Sequence, residues 1–208
     1  EFKAVFQTFT TLCYLFIFSS SFLIFFYPVE LFSLWSRQTV DQYLAKELNL
    51  LIKFLVLGSM FLAMQFPFYY ALLANSKTKY TVYQGLFQVL VGVPLLIFFA
   101  KSYGVKYTGV PWLLINLFAF IYLMIICLKK YLHISIIDFI LRYILIQVVV
   151  GLSIAWLGHV IYQLYSIPFF IVFLLSGTLS FFLILMLGNV IDKRKLLSYK
   201  HLYNFPRV

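Results

Sequence analysis

The chain has 208 residues, of which 64% are hydrophobic, 21% aromatic and only 11% charged. Soluble globular domains carry about 25% charged residues, so this composition excludes that class and indicates an integral membrane protein. The formal net charge of +10 does not indicate a nucleic-acid-binding protein, because the 16 Lys and Arg residues lie in short gaps between apolar runs and form no single basic patch.

Six apolar runs are long enough to cross a membrane, since a helix needs about 20 mainly apolar residues to span about 30 Å of hydrocarbon. The runs do not alternate between polar and apolar residues as the strands of a membrane barrel do. We therefore predict an all-α integral membrane protein, a bundle of six transmembrane helices. In chain order the runs are 9–35, 48–74, 80–100, 110–128, 139–165 and 167–191.

The positive charges between the runs predict the orientation, because Lys and Arg are enriched on the cytoplasmic side of a membrane protein. If the N-terminus is inside, eleven of these residues are cytoplasmic and five are external, so we predict that both ends are cytoplasmic. The eleven are Lys3, Lys77, Lys79, Lys129, Lys130, Arg142, Lys193, Arg194, Lys195, Lys200 and Arg207, and the five are Arg37, Lys46, Lys53, Lys101 and Lys106.

A few polar side chains fall inside the runs, where they are costly and become candidates for a function. Lys53 and Arg142 lie near the ends of their runs and can also extend to the membrane surface. The neutral residues can pair helices through hydrogen bonds or line a hydrophilic cavity for a sugar or phosphate group. The candidate substrate-binding residues are Lys53, Gln65, Gln84, Gln88, Asn116 and Arg142.

The third run has a face of small and polar residues. Gly85, Gln88 and Gly92 share this face at helical spacing, so we predict that it packs closely against another helix or lines a cavity. Pro94 follows directly, and Pro67 lies in the second run. Each proline removes a backbone hydrogen bond and can bend its helix.

Residues with catalytic or metal-binding chemistry form no recognisable motif. Cys13 and Cys127 lie within apolar runs, where cysteine behaves as a small hydrophobic residue. His133 and Asp138 are close in sequence but match no known arrangement. We therefore predict no catalytic residue, metal site or cofactor, and expect that the protein is not an enzyme.

Three stretches resemble a known family of membrane transporters. FYPVELFSLW closes the first run, PFYYALLANSKTKY contains the end of the second run and its polar turn, and KSYGVKYTGVPWLLIN holds a turn followed by a Trp-led run. Together they resemble the C-terminal half of bacterial polysaccharide flippases of the O-antigen and teichuronic-acid type, in the multidrug/oligosaccharidyl-lipid/polysaccharide exporter superfamily. The resemblance covers residues 5–132 and continues loosely to the end. Lys106 and Tyr107 stand where many relatives have small residues.

This resemblance implies one lobe of a MATE-like two-lobe transporter plus two C-terminal helices. Residues 1–132 would form the four transmembrane helices of the lobe, 133–192 the two additional helices and 193–208 a basic cytoplasmic tail. The implied activity is the flipping of an undecaprenyl-diphosphate-linked oligosaccharide across the bacterial inner membrane by alternating access, for surface polysaccharide biosynthesis. The implied partners are the lipid bilayer, this lipid-linked oligosaccharide and an N-terminal lobe of the same protein.

Three other functions stay open. A drug or metabolite exporter of the same superfamily would carry carboxylates at mid-membrane depth in the other lobe. A membrane-embedded acyl- or glycosyltransferase would need a group of reactive His, Asp or Glu side chains at the membrane surface. A structural subunit would need a partner protein. If the chain belongs to a flippase, Lys53 is the first candidate for the substrate diphosphate, and the neutral amides are candidates for its sugars.

Overall fold

The computed structural model describes residues 2–37, 41–165 and 168–200. Beyond residue 183 it describes the backbone and, among the side chains, that of Met186 alone. These residues form helices and no strands. The α-helices are α1 Phe2–Phe26, α2 Pro28–Ser36, α3 Gln42–Met64, α4 Phe66–Ala74, α5 Lys79–Tyr103, α6 Gly109–Ile126, α7 Ile136–Phe139, α8 Ile146–Tyr165 and α9 Phe169–Lys200. A 3₁₀ turn covers Val105–Tyr107, and π-helical turns cover Cys127–Leu132 and Ile140–Leu145.

Several helical segments are long and apolar enough to cross a membrane, which confirms the predicted all-α membrane class. In the described part of the chain five segments meet this criterion, and α9 adds a shorter apolar stretch, Phe169–Leu183. The predicted number of six transmembrane helices stays a prediction. The five segments are Phe2–Phe26, Gln42–Ala74, Lys79–Tyr103, Val105–Leu132 and Ile136–Tyr165.

The first apolar run is divided into two helices, so the prediction of one continuous helix over 9–35 is wrong. α1 ends at Phe26, Tyr27 leaves the helical conformation at φ −124° and ψ 46°, and Pro28 begins α2. Proline has no N–H to donate to the preceding turn, but it suits the first position of a helix. Because α1 begins at Phe2, its first two turns include polar residues that the predicted run left outside.

The two prolines in the second and third runs have different effects on their helices. α3 ends at Met64 and α4 begins at Phe66, with Pro67 in the first turn of α4. The helical assignment is therefore interrupted at Gln65, whose backbone angles stay helical at φ −74° and ψ −24°, and the bend predicted from Pro67 stays a prediction. In contrast, α5 continues through Pro94 without interruption.

The helices α5, α6, α3 and α1 pack in that order, and α8 and α9 pack against α1 and against each other. α1 contacts α3 on one side and α8 and α9 on the other. α3 and α6 form the most extensive contact, and α5 packs mainly against α6. Two glycines allow α3 and α6 to approach closely: a Cβ added to Gly58 would overlap Trp112, and one added to Gly109 would lie 2.7 Å from the Cβ of Phe54.

Candidate functional site

Four of the six predicted site residues form one hydrogen-bonded cluster, the amide network of Gln65, Gln84, Gln88 and Asn116. The cluster is built where α3 gives way to α4, because the break places Gln65 between the two helices. Gln65 Nε2 donates to the carbonyl oxygen of Phe61 at 3.2 Å and to that of Asn116 at 3.1 Å. Its side chain therefore joins the broken helix to α6.

The face predicted on the third run supplies the other half of the network. Gln84 Nε2 donates to Gln65 Oε1 at 2.7 Å and to Gln88 Oε1 at 3.0 Å. Gln88 Nε2 donates to Asn116 Oδ1 at 3.1 Å, and Asn116 Nδ2 donates to the Trp112 carbonyl oxygen at 2.8 Å. The amides thus connect α5, α6 and the α3–α4 break through direct bonds.

Gln88 is the member of the network best placed to contact a ligand. Gln65, Gln84 and Asn116 are buried, with exposed fractions of 3%, 8% and 1%, whereas Gln88 is half-buried. An amide nitrogen carries two donors, and within the described residues the Gln88 nitrogen uses one of them. Gln88 therefore keeps a donor at the edge of the network.

Two grooves along the α5–α6 contact reach the network from either side. One has a volume of about 270 Å³ and is lined by Gln88 and Asn116 together with mainly apolar residues. The other has a volume of about 300 Å³ and is lined by Gln84, Tyr83 and Tyr122 among others. The network therefore divides a largely apolar surface into two parts.

The two predicted cations lie apart from the network. Lys53 is half-buried on α3, with its ammonium 5.2 Å from the centre of the Phe25 ring. It precedes Gln65 by twelve residues, which is about 18 Å along a helix. Arg142 is exposed in the π-helical turn before α8. The assignment of either cation to a substrate diphosphate stays a prediction.

Two serines of the first run bond within α1. The hydroxyls of Ser19 and Ser20 donate to the carbonyl oxygens of Leu15 and Phe16, one turn earlier. These bonds are local to the helix, so they give no reason to place a ligand at this serine cluster.

Sequence reasoning missed two bonds that fix the surroundings of the network. The Tyr14 hydroxyl donates to the Met64 carbonyl oxygen at 3.0 Å, and Trp112 Nε1 donates to Ser59 Oγ at 3.3 Å. Nothing in the sequence distinguishes Tyr14 among the 16 tyrosines of the chain. The four-residue spacing of Ser59 and Ala63 predicts a helix contact, but it does not indicate Trp112 as the partner.

Comparisons with family models, curated proteins and solved structures find no match for this chain. Function is therefore inferred from the amide network and from the family resemblance of the sequence. Chemically, the network offers neutral amide donors and acceptors, which exchange hydrogen bonds with hydroxyl groups. It presents no charged group.

Proposed function

We propose that this chain is part of a membrane transporter that flips a polyprenyl-diphosphate-linked oligosaccharide across the cytoplasmic membrane of a bacterium, for surface polysaccharide biosynthesis. The observation that carries the proposal is the amide network, with the spare donor of Gln88 at a groove between membrane-spanning helices. The protein acts as a transporter and not as an enzyme, and it works together with a second lobe.

Sugar hydroxyls are the groups that a flippase must carry through hydrocarbon. Moving one hydroxyl from water into an apolar phase without a hydrogen bond costs about 2–7 kcal/mol, depending on the reference state. The amides of Gln88 and Asn116 line the groove where such hydroxyls would pass. A neutral network replaces the lost water contacts without a charge that would hold the ligand, so release stays possible.

The exposed surface of α5 is the observation that supports a second lobe. Few of its residues are buried, namely Thr81, Gln84 and Gly92. A helix that packs mainly against one neighbour leaves most of its surface for lipid or for another part of a protein. A lobe facing α5 would enclose the grooves beside the amide network, and alternating access requires such a pair of lobes.

Deletion of the gene in its native host tests the function. We expect loss of surface polysaccharide and accumulation of its polyprenyl-diphosphate precursor in the cytoplasmic leaflet. The wild-type gene and a Gln163→Leu control, which changes an exposed glutamine outside the network, should restore export. Gln88→Leu should restore it poorly at an equal protein level.

The same deletion distinguishes the other functions. Normal surface polysaccharide with reduced drug tolerance would contradict the proposal and indicate a drug exporter. A precursor of altered sugar or acyl composition that still reaches the surface would also contradict it and indicate a membrane-embedded transferase.

A further inference from the structure

A polar cleft lies at the end of the bundle where α1 begins. It has a volume of about 250 Å³ and, unlike the grooves beside α5, a mainly polar lining. We infer that this cleft binds the phosphate group of an anionic membrane lipid. The residues that carry the inference are Lys3, His133, Ser135, Asp138 and Arg142.

Two helical segments bring the cations of the cleft together. Lys3 lies in the first turn of α1, and Arg142 lies in the π-helical turn that continues α7. The early start of α1 is essential, because a helix beginning at residue 9 would not include Lys3. The cleft therefore combines charges that are 139 residues apart in the sequence.

Within the described residues, the cations of the cleft form no ion pairs. The one salt bridge among the described residues joins Lys106 and Glu47 at 3.2 Å. Asp138 precedes Arg142 by one helical turn and is the acidic residue of the cleft, but the two form no such pair. Lys3 and Arg142 against Asp138 leave a formal excess of one positive charge on these three residues, which favours an anionic ligand.

The turn that closes the cleft has an uncommon backbone conformation. His133 adopts a left-handed conformation with φ 50° and ψ 48°, which is uncommon for residues other than glycine. Ser135 Oγ then accepts a long hydrogen bond of 3.5 Å from the Asp138 N–H, which caps α7. The turn therefore brings His133, Ser135 and Asp138 to one wall of the cleft.

The lining and position of the cleft suit a lipid headgroup. Its lining is mainly polar and includes two cations, whereas the grooves beside α5 are mainly apolar. Phe6 next to the cleft packs 5.8 Å from Phe68 of α4 and 6.5 Å from Phe139 of α7, measured between ring centres. The cleft is thus at a helix end, where basic pockets between membrane helices bind phosphate headgroups.

Native mass spectrometry of the purified protein in neutral detergent tests the inference with phosphatidylglycerol as the probe. Removing one positive charge near anionic lipid should weaken binding about fivefold. We therefore expect the Lys3→Gln/Arg142→Gln variant to bind phosphatidylglycerol about 25-fold more weakly than the wild type. Each single variant should lose about fivefold.

Two further variants separate a specific site from a general effect of charge. The control Lys46→Gln/Lys101→Gln removes two exposed charges elsewhere and should bind like the wild type. The exchange Lys3→Arg/Arg142→Lys keeps both charges and should retain binding. Because Lys3 and Arg142 are exposed, all variants should fold, and circular dichroism checks their helix content.

Three results would overturn the inference. The first is unchanged lipid binding by folded Lys3→Gln/Arg142→Gln, and the second is an equal loss in the Lys46→Gln/Lys101→Gln control. In the third, inorganic phosphate would bind the wild type while phosphatidylglycerol would not, which would indicate a soluble anion. None of these measurements involves transport, so the inference and the proposed function can fail separately.

Discussion

At the residue scale, the amide network shows how polar side chains are accommodated in an apolar bundle. The side chains of Gln65 and Gln84 donate both amide hydrogens to partners inside the protein. Hydrogen bonds between membrane helices contribute about 0.6 kcal/mol on average and at most about 1.7 kcal/mol. Linked amides depend on one another, so their contributions should not add independently.

A double-mutant cycle on Gln65 and Gln84 measures this coupling. We expect Gln65→Leu and Gln84→Leu together to destabilise the protein by about 1 kcal/mol less than the sum of the two single changes, because each change already breaks their shared bond. The measurement is the free energy of unfolding in detergent. The control cycle pairs Gln84→Leu with Gln147→Leu in α8 and should be additive, and additivity in both cycles would contradict the network.

Two buried tyrosines provide a second comparison at this scale. Tyr14 and Tyr27 are both fully buried, but only the Tyr14 hydroxyl has a hydrogen-bond partner within the described residues. We expect Tyr14→Phe to lower the free energy of unfolding by about 1 kcal/mol. Tyr27→Phe should have no effect or stabilise the protein, because an unpaired buried hydroxyl is unfavourable.

The pKa of the Tyr27 hydroxyl sets the pH range in which the two phenylalanine variants should be compared. Burial raises the pKa of the Tyr27 hydroxyl to about 12, so the folded protein keeps the neutral phenol. The folded protein thus favours the protonated form of Tyr27. The resulting contribution to the free energy of unfolding is complete below the unfolded pKa of about 10 and is lost as the pH rises toward 12. Thermal unfolding below pH 10 should give one constant difference between Tyr27→Phe and the wild type. An equal loss of stability in both phenylalanine variants would contradict the account.

The sequence identified the members of the amide network but not their partners. Gln and Asn side chains are conspicuous within apolar runs, and spacing placed Gln84 and Gln88 one turn apart. The bonds to the carbonyl oxygens of Phe61 and Asn116 depend on the helix break and on the packing of α6. The separation of Lys53 from Gln65, in contrast, follows from their twelve-residue spacing, because a helix rises about 1.5 Å per residue.

At the element scale, the helix ends were harder to predict than the helices themselves. Apolar runs located the membrane segments, because an uninterrupted run of this length has few other structures available. The effect of each proline depended on its surroundings. Pro28 begins a helix, Pro67 follows a break and Pro94 lies inside α5, a difference that the presence of proline alone does not predict.

The close contact of α3 and α6 gives a prediction at this scale. Gly109→Ala should destabilise the protein by about 1–3 kcal/mol, because the added Cβ would meet Phe54 of α3. Gly85→Ala is the matched control, since nothing lies within 4 Å of a Cβ at that position. Thermal unfolding in detergent compares the two, and equal stabilities would show that α3 and α6 do not pack as described.

At the scale of the whole molecule, the chain ends and the connecting turns determine the orientation in the membrane. The positive charges predict that the turn after α4 is cytoplasmic and the turn after α5 external. We expect an impermeant maleimide to label Tyr103→Cys in intact cells and Lys77→Cys only after the cells are opened. Both positions are exposed. Labelling of Lys77→Cys in intact cells, with Tyr103→Cys protected, would reverse the orientation.

Flipping in liposomes tests whether the amide network helps carry a lipid-linked oligosaccharide across the bilayer. The complete protein is reconstituted with a fluorescent polyprenyl-diphosphate oligosaccharide, and the exposure of the label to an external quencher is followed with time. We expect movement faster than in protein-free liposomes, slowed about five- to tenfold by Gln88→Leu and unchanged by Gln163→Leu. Movement no faster than in protein-free liposomes, or equal rates for Gln88→Leu and the wild type, would contradict the account.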